Sequence, residues 1–253
     1  MIKILINGAN GRMGKKVREA AALSDNVTAI CGADRVCDFS DTSFPVYDDI
    51  NKIQEKADVI IDFSSAAALP SVLAYAEKTH TPAVLCATGY SEKDLTEIKR
   101  VSENVALFRS ANMSIGVNVL IRLVKTAAAA LNGFDIEIIE KHHNKKADAP
   151  SGTAIMIADG VKEVLPEKFC VYGRNGIVGK RDRNEIGIHA VRGGNIAGEH
   201  EILFAGENET VTLSHSAADR GVFADGAIKA AEFIANKEKG LFDMNDLLEE
   251  IDG

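Results

Sequence analysis

Ile2-Lys3-Ile4-Leu5-Ile6-Asn7-Gly8-Ala9-Asn10-Gly11-Arg12-Met13-Gly14 opens the chain and decides its fold. Ile2 to Ile6 is an apolar strand, Gly8 to Gly14 a turn, and Met13 to Leu23 a helix. A glycine turn of this kind lets the backbone approach a pyrophosphate, and the helix N-terminus behind it supplies N–H donors. The spacing departs from the usual G-x-G-x-x-G because Asn10 holds the second glycine position. A lone triplet is only a tight strand-to-helix turn. Its place after the first strand, with Asp34 20 residues beyond Gly14, makes dinucleotide binding the better reading.

Outward from this start the pattern repeats. Val27 to Cys31, Ala57 to Phe63, Pro82 to Cys86 and Val105 to Phe108 read as buried strands, with helices over Ala66 to Thr79 and Ser91 to Ser102. Continuous apolar strands alternating with helices imply an α/β fold, a Rossmann-like doubly wound parallel sheet. Asp34 should end the second strand, where a carboxylate accepts hydrogen bonds from the adenosine ribose. It would repel the 2′-phosphate of NADPH and Arg35 would attract it, so the pair predicts use of both NADH and NADPH. Arg12 lies close enough to offset phosphate charge. Thr88-Gly89 and Ser110-Ala111-Asn112-Met113 follow the fourth and fifth strands, at the end of the sheet where ligands bind.

From about Ser114 the texture changes. A helix (Val117 to Leu131) leads into a strand on which Phe134, Ile136 and Ile138 alternate. Glu185 to Val191, His200 to Phe204 and Thr210 to His215 are strand-like without a helix between each pair, which predicts an α+β unit on a mixed or antiparallel sheet. Gly173 to Arg183 is Gly-rich and basic and reads as a mobile surface loop, with a lid over an anion as the alternative. Gly226 to Asn236 and Met244 to Ile251 return to helices.

Composition narrows the function. With 46% hydrophobic and 26% charged residues, 253 residues make one large or two modest globular domains. Lys+Arg 29 against Asp+Glu 37 gives −8, which argues against a general nucleic-acid binder. No apolar run approaches the ~20 residues that cross a bilayer. Cys31, Cys37, Cys86 and Cys170 have neither metal nor redox spacing, so reduced thiols in a cytoplasmic protein fit best. Cys86, approached by Ala83-Val84-Leu85, reads as a small buried residue rather than a nucleophile. His80, His189, His200 and His215 show no zinc-type spacing, and no metal is expected.

The chemistry concentrates in Glu140-Lys141-His142-His143-Asn144-Lys145-Lys146-Ala147-Asp148-Ala149-Pro150-Ser151-Gly152-Thr153. A strand runs into a cationic loop, and the loop closes on a helix start formed by Pro150 and Ser151, with Gly152 and Thr153 in its first turn. Such a start favours a carboxylate or phosphate. This stretch resembles the signature of the dihydrodipicolinate reductases, also called 4-hydroxy-tetrahydrodipicolinate reductases, of the diaminopimelate route to lysine. The similarity runs end to end, through Gly8 to Gly14, Ala87-Thr88-Gly89-Tyr90, Asn112 to Asn118 and Gly194-Asn195-Ile196-Ala197-Gly198-Glu199-His200.

The resemblance implies a reductase that takes hydride from NADH or NADPH. His142 would be proton donor or acceptor and Lys146 proton donor, with His143 in the substrate pocket and Ser151, Gly152 and Thr153 gripping a carboxylate of a small dicarboxylate. Because strand side chains alternate, His143 can join His142 only if the strand ends between them. Gly8, Ala9, Asn10, Gly11, Arg12, Met13, Gly14, Asp34 and Arg35 would hold the cofactor's phosphate and adenosine end. Cys86, Ala87, Thr88, Gly89, Ser110, Ala111, Asn112 and Met113 would line the nicotinamide end. Cys86-Ala87 stands where Gly-Thr is usual, and Met113 where Phe is usual. The resemblance further implies a dinucleotide-binding domain of residues 1–113 and 221–253. Residues 114–220 would be an inserted α+β substrate and oligomerisation domain, its sheet forming a homotetramer contact. Closure of the domains would exclude water before transfer. A non-catalytic dinucleotide-binding sensor on the same fold is the rival reading, disfavoured because His142 and Lys146 are both present.

Overall fold

Runs such as Ile4-Leu5-Ile6 and Val59-Ile60-Ile61 carry no polar alternation, so such strands need apolar cover on both faces. The structure, a computed structural model that describes residues 1–36 and 44–252, gives them that cover. Cys37 lies outside the described residues.

In chain order the first elements are β1 (Ile2–Asn7), α1 (Arg12–Ala22), β2 (Val27–Ala33), β3 (Val46–Tyr47), β4 (Val59–Asp62), α2 (Leu69–Thr79), β5 (Ala83–Leu85), α3 (Glu92–Ser102) and β6 (Ala106–Arg109). Next come α4 (Ile115–Ala130), β7 (Asp135–His142), α5 (Gly152–Val164), β8 (Phe169–Tyr172), β9 (Glu185–Arg192), β10 (Gly198–Ala205) and β11 (Thr210–Ala217). The chain ends with α6 (Gly221–Ile234), β12 (Gly240–Phe242) and α7 (Met244–Asp252). They divide into two compact units, one built from residues up to Ile115 and from Arg220 onward, the other from Gly116 to Asp219.

In the first unit seven strands pair in the order β12-β6-β5-β4-β1-β2-β3, every neighbour parallel. This is the Rossmann-like doubly wound sheet. Ile4, Ile6, Ile61 and Phe108 pack with residues of α1, α6 and α7, while Leu5, Ile60, Leu85 and Leu107 pack with α2 and α3. Strand order reverses at β1 and β4, where sheets of this kind bind ligands beyond the carboxyl ends. β12 adds to the sheet edge beside β6, and α6 contributes Ala224, Ala227, Ala231 and Ile234 to the core.

The second unit is a mixed five-stranded sheet, β11-β10-β7-β9-β8, in which β7 runs parallel to β9 and antiparallel to β10. α4 and α5 cover one face: Leu120, Val124, Ile157 and Val161 meet Ile136, Ile138, Ile186, Ile188, Ile202 and Phe204. Among the described residues no helix is long and apolar enough to cross a membrane.

Several boundaries differ from the sequence reading. The helix expected from Ala66 is a 3₁₀ turn over Ala66–Ala68 and then α2, with Pro70 in its first turn. The helix expected from Gly226 begins at Gly221, and Gly226 lies inside it, where a Cβ would run into the Met113 carbonyl. The Gly173–Arg183 loop is exposed at Ile177 and Val178 but is not untethered. Arg174 bonds Glu137 and Glu185, and Arg181 bonds Asp135, Glu137 and three carbonyls. Burial opposes the charge of Glu137, yet Arg174, His189 and Arg181 outweigh it and hold the carboxyl down to about 2.

Candidate active site

The alternation of β7 does not stop at its hydrophobic residues. Ile136 and Ile138 point to the helix-covered face, so the same period buries Glu140 and His142 beside them. A carboxylate with no exposed surface must be matched by donors and countercharge. Glu140 is 0% exposed and is fully matched. Arg192 grips it with two bonds, Nη1 to Oε2 and Nη2 to Oε1, each 2.7 Å. The Ser151 N–H donates to Oε1 at 2.9 Å, and His142 Nδ1 lies 2.6 Å from Oε2. Burial works against this charge. Arg192, then His142 and the Ser151 N–H, more than offset it and keep the carboxyl below the usual glutamate range.

β7 ends at His142, so the strand breaks where His143 needs it to if both imidazoles are to serve one loop. His142 is 9% exposed and His143 half-buried. The turn that follows is held by Lys146 N to His143 O (3.1 Å) and by Asn144 N to Gly194 O (3.2 Å). Lys146 Nζ pairs with Asp148 Oδ1 at 2.9 Å, and Arg192 Nη2 also donates to the Asp148 carbonyl. Asp148 therefore fixes the loop.

Ser151 caps α5, its Oγ accepting from Ala154 N at 3.2 Å. The serine expected to grip substrate already has partners within the protein. Ser151 is 2% exposed, its N–H is spent on Glu140, and its hydroxyl lies 3.0 Å from His200 Nε2. Gly152 stays exposed in the first turn, and a Cβ there would meet nothing within 4 Å. Thr153 is half-buried beside it.

Sequence reasoning passed over Arg192 and named Glu140, Gly198 and His200 without giving them a role. His200 faces Glu140 across the β7–β10 pairing and meets the His142 ring edge-to-face, 5.3 Å between centroids. Burial, then the neighbouring His142, pushes its pKa down to about 4, so it is neutral at ordinary pH. A Cβ on Gly198 would sit 3.1 Å from His142 Nε2. Only the burial of Glu140 was readable, by extending the period from Ile138.

In the first unit, Gly8 adopts φ +82° and leads into α1, whose N-cap is Gly11. Gly14 is buried, and a Cβ on it would stand 2.6 Å from the Ala9 carbonyl oxygen. Ala9 is buried and Met13 packs on the same core, so these two give the turn its backbone and the core their side chains. Gly11 and Arg12 are exposed. Asn10 N donates to Asp34 Oδ2 at 2.9 Å, which aims the Asp34 carboxylate back at the turn.

A cleft of about 520 Å³ is lined by Gly8, Gly11, Asp34 and Arg35, and also by Asp48 and Asp49, which the sequence reading passed over. Thr88, Gly89, Ser110, Ala111, Asn112 and Met113 do not line it; they follow β5 and β6 at the same carboxyl end of the sheet. Cys86 and Met113 are buried in the core, so the two departures from the family pattern are taken up by packing. Cys86 is also held well above the ordinary thiol range by burial. Ser110 Oγ donates to the Asn112 carbonyl and Asn112 Oδ1 accepts from Ser114 N, which fixes that loop.

Comparison with known proteins bears on both units. The family description "Dihydrodipicolinate reductase, N-terminus" matches residues 2–113, and "Dihydrodipicolinate reductase, C-terminus" matches residues 116–248. The chain is 51% identical to the 4-hydroxy-tetrahydrodipicolinate reductase of Caldanaerobacter subterraneus subsp. tengcongensis, over 98% of each sequence. It is 45% identical to that of Clostridium novyi, again over 98% of each. The dipicolinate-bound dihydrodipicolinate reductase from Paenisporosarcina sp. TG-14 superposes with a TM-score of 0.79 at 26% identity, covering 97% of this chain and 99% of that one. Matched in both units and along nearly its whole length, the chain belongs to the dihydrodipicolinate reductase family.

Proposed function

We propose that the chain is a 4-hydroxy-tetrahydrodipicolinate reductase of lysine and diaminopimelate biosynthesis, forming tetrahydrodipicolinate with loss of water. The observation that carries this reading is His142, held by a buried, ionised Glu140 next to the N-terminus of α5. A reduced nicotinamide dinucleotide supplies the hydride when bound. The chain's own task is to hold a dianion and move a proton. Gly152 and Thr153, in the first turn of α5, present N–H groups and the positive end of the helix dipole to one substrate carboxylate. Neither backbone conformation nor packing requires glycine at 152, and close approach of a ligand is a sufficient reason for it. His143 offers a second polar contact. Lys146 leaves Asp148 to donate the proton that quenches the reduced ring, and His142 exchanges protons as acid or base.

The glycine turn, the cleft and the oriented Asp34 fit a dinucleotide. Asp34, Asp48 and Asp49 line the cleft against Arg35, and Lys52 pairs with Asp48 at 2.8 Å. This balance supports use of both cofactors, with NADH ahead of NADPH. A cytoplasmic homotetramer joined through the sheet of the second unit completes the reading.

The test generates the substrate enzymatically from pyruvate and aspartate semialdehyde, adds the protein, and follows oxidation of NADH and NADPH separately by absorbance. Substrate-dependent oxidation is expected with both. Cofactor binding without oxidation would mean a different substrate or a sensor. Lys146→Ala should lower kcat about 100-fold or more while leaving the dissociation constant of NADH within about twofold. Full turnover in that variant would remove Lys146 from the proton path.

A further inference from the structure

We infer that Glu140 is a positioning residue that fixes the ring tautomer of His142 and thereby selects Nε2 as the nitrogen that exchanges a proton with substrate. The inference rests on the acid–base role proposed for His142. Glu140 is wholly buried and ionised, gripped by both Arg192 terminal nitrogens and by the Ser151 N–H. An ionised carboxylate only accepts hydrogen bonds, so the 2.6 Å contact requires a proton on His142 Nδ1. In the neutral ring Nε2 is then the basic nitrogen.

Three neighbours keep this assignment one-sided. Arg192 balances the Glu140 charge whether His142 is neutral or cationic, so the carboxylate has no need to take the Nδ1 proton. His200, edge-on to the ring and neutral, brings no competing charge. Gly198 leaves Nε2 uncovered, since any Cβ at that position would crowd it at 3.1 Å. The same guanidinium reaches the Asp148 carbonyl at 2.8 Å and so ties the Lys146 loop to the carboxylate that orients the histidine.

The imidazole ¹⁵N chemical shifts of His142 in the intact protein read the tautomer directly. The expected spectrum has a protonated Nδ1 and a bare Nε2 in the neutral ring; the opposite pattern overturns the inference, and no variant is needed to see it. Glu140→Gln keeps the shape but can donate as well as accept, so it should mix the two tautomers. It should lower kcat about 100-fold with KM for substrate and cofactor within about twofold, and Glu140→Asp should recover part of the rate. Unchanged tautomer and unchanged kcat in Glu140→Gln would also overturn the inference. Mixed tautomers at full turnover would uphold Glu140 as the orienting group and strike out the acid–base role of His142. The two readings therefore fail separately.

Discussion

Charge is admitted to the interior of the second unit only where the residue can be paid back, and Glu140 and His200 are the two contrasting cases. Glu140 stays ionised because Arg192, His142 and a backbone N–H surround it. His200, 4% exposed and next to His142, stays neutral, its pKa pushed from 6.5 to about 4 by burial first and His142 second. A depressed histidine pKa has a definite sign. Below 6.5 the unfolded chain takes up a proton that the folded chain refuses until about 4, so stability is intact above 6.5 and drains away between those values. From about pH 7 to about pH 5 this residue should cost on the order of 2 kcal/mol. His200→Asn should flatten that part of the stability profile measured by urea unfolding; an identical slope in the variant would mean the proton goes elsewhere. His215, also lowered by burial, adds in the same direction.

At the scale of elements, the glycine turn separates structural glycines from one proposed to face the cofactor. Gly8 needs its positive φ, and Gly14 lets α1 start against the Gly8 and Ala9 carbonyls. Gly11 has ordinary extended backbone and meets only the Gly8 carbonyl oxygen, at 3.1 Å. Gly14→Ala should therefore destabilise the fold by about 3 kcal/mol, while Gly11→Ala should cost under about 1 kcal/mol and weaken NADH binding. Calorimetry for affinity and thermal unfolding for stability check the split; equal losses of stability would erase it. The buried strands were legible because Ile4-Leu5-Ile6 and Val59-Ile60-Ile61 are apolar on both faces. β3, β8 and β12 were not, being two to four residues long and without a periodic face. The signature loop was legible as far as its own residues went. Its partners were not, because Arg192 stands 52 residues from Glu140 and His200 stands 49 from Ser151. Only folding brings these groups together.

For the molecule as a whole, the second unit has helices on one face of its sheet and an eight-residue edge strand, β11, whose residues are exposed or half-exposed throughout. Long open edges and single-sided sheets call for cover. The proposed tetramer provides it, and light scattering at micromolar protein should return four chains; a monomer at every concentration would rule that assembly out. The late arrival of β12 has a further consequence, in the time the chain spends on the ribosome. β6 is complete at Arg109, but its neighbour β12 begins only at Gly240. Synthesis at roughly 5–20 residues per second puts on the order of ten seconds between them. Through that interval the nascent first sheet shows an unpaired edge and lacks α6. The segment from Gly116 to Asp219 emerges meanwhile with a core of its own, before the strand that closes the preceding sheet has been made. A chain truncated before Gly240 would lack the strand that pairs with β6 at this edge.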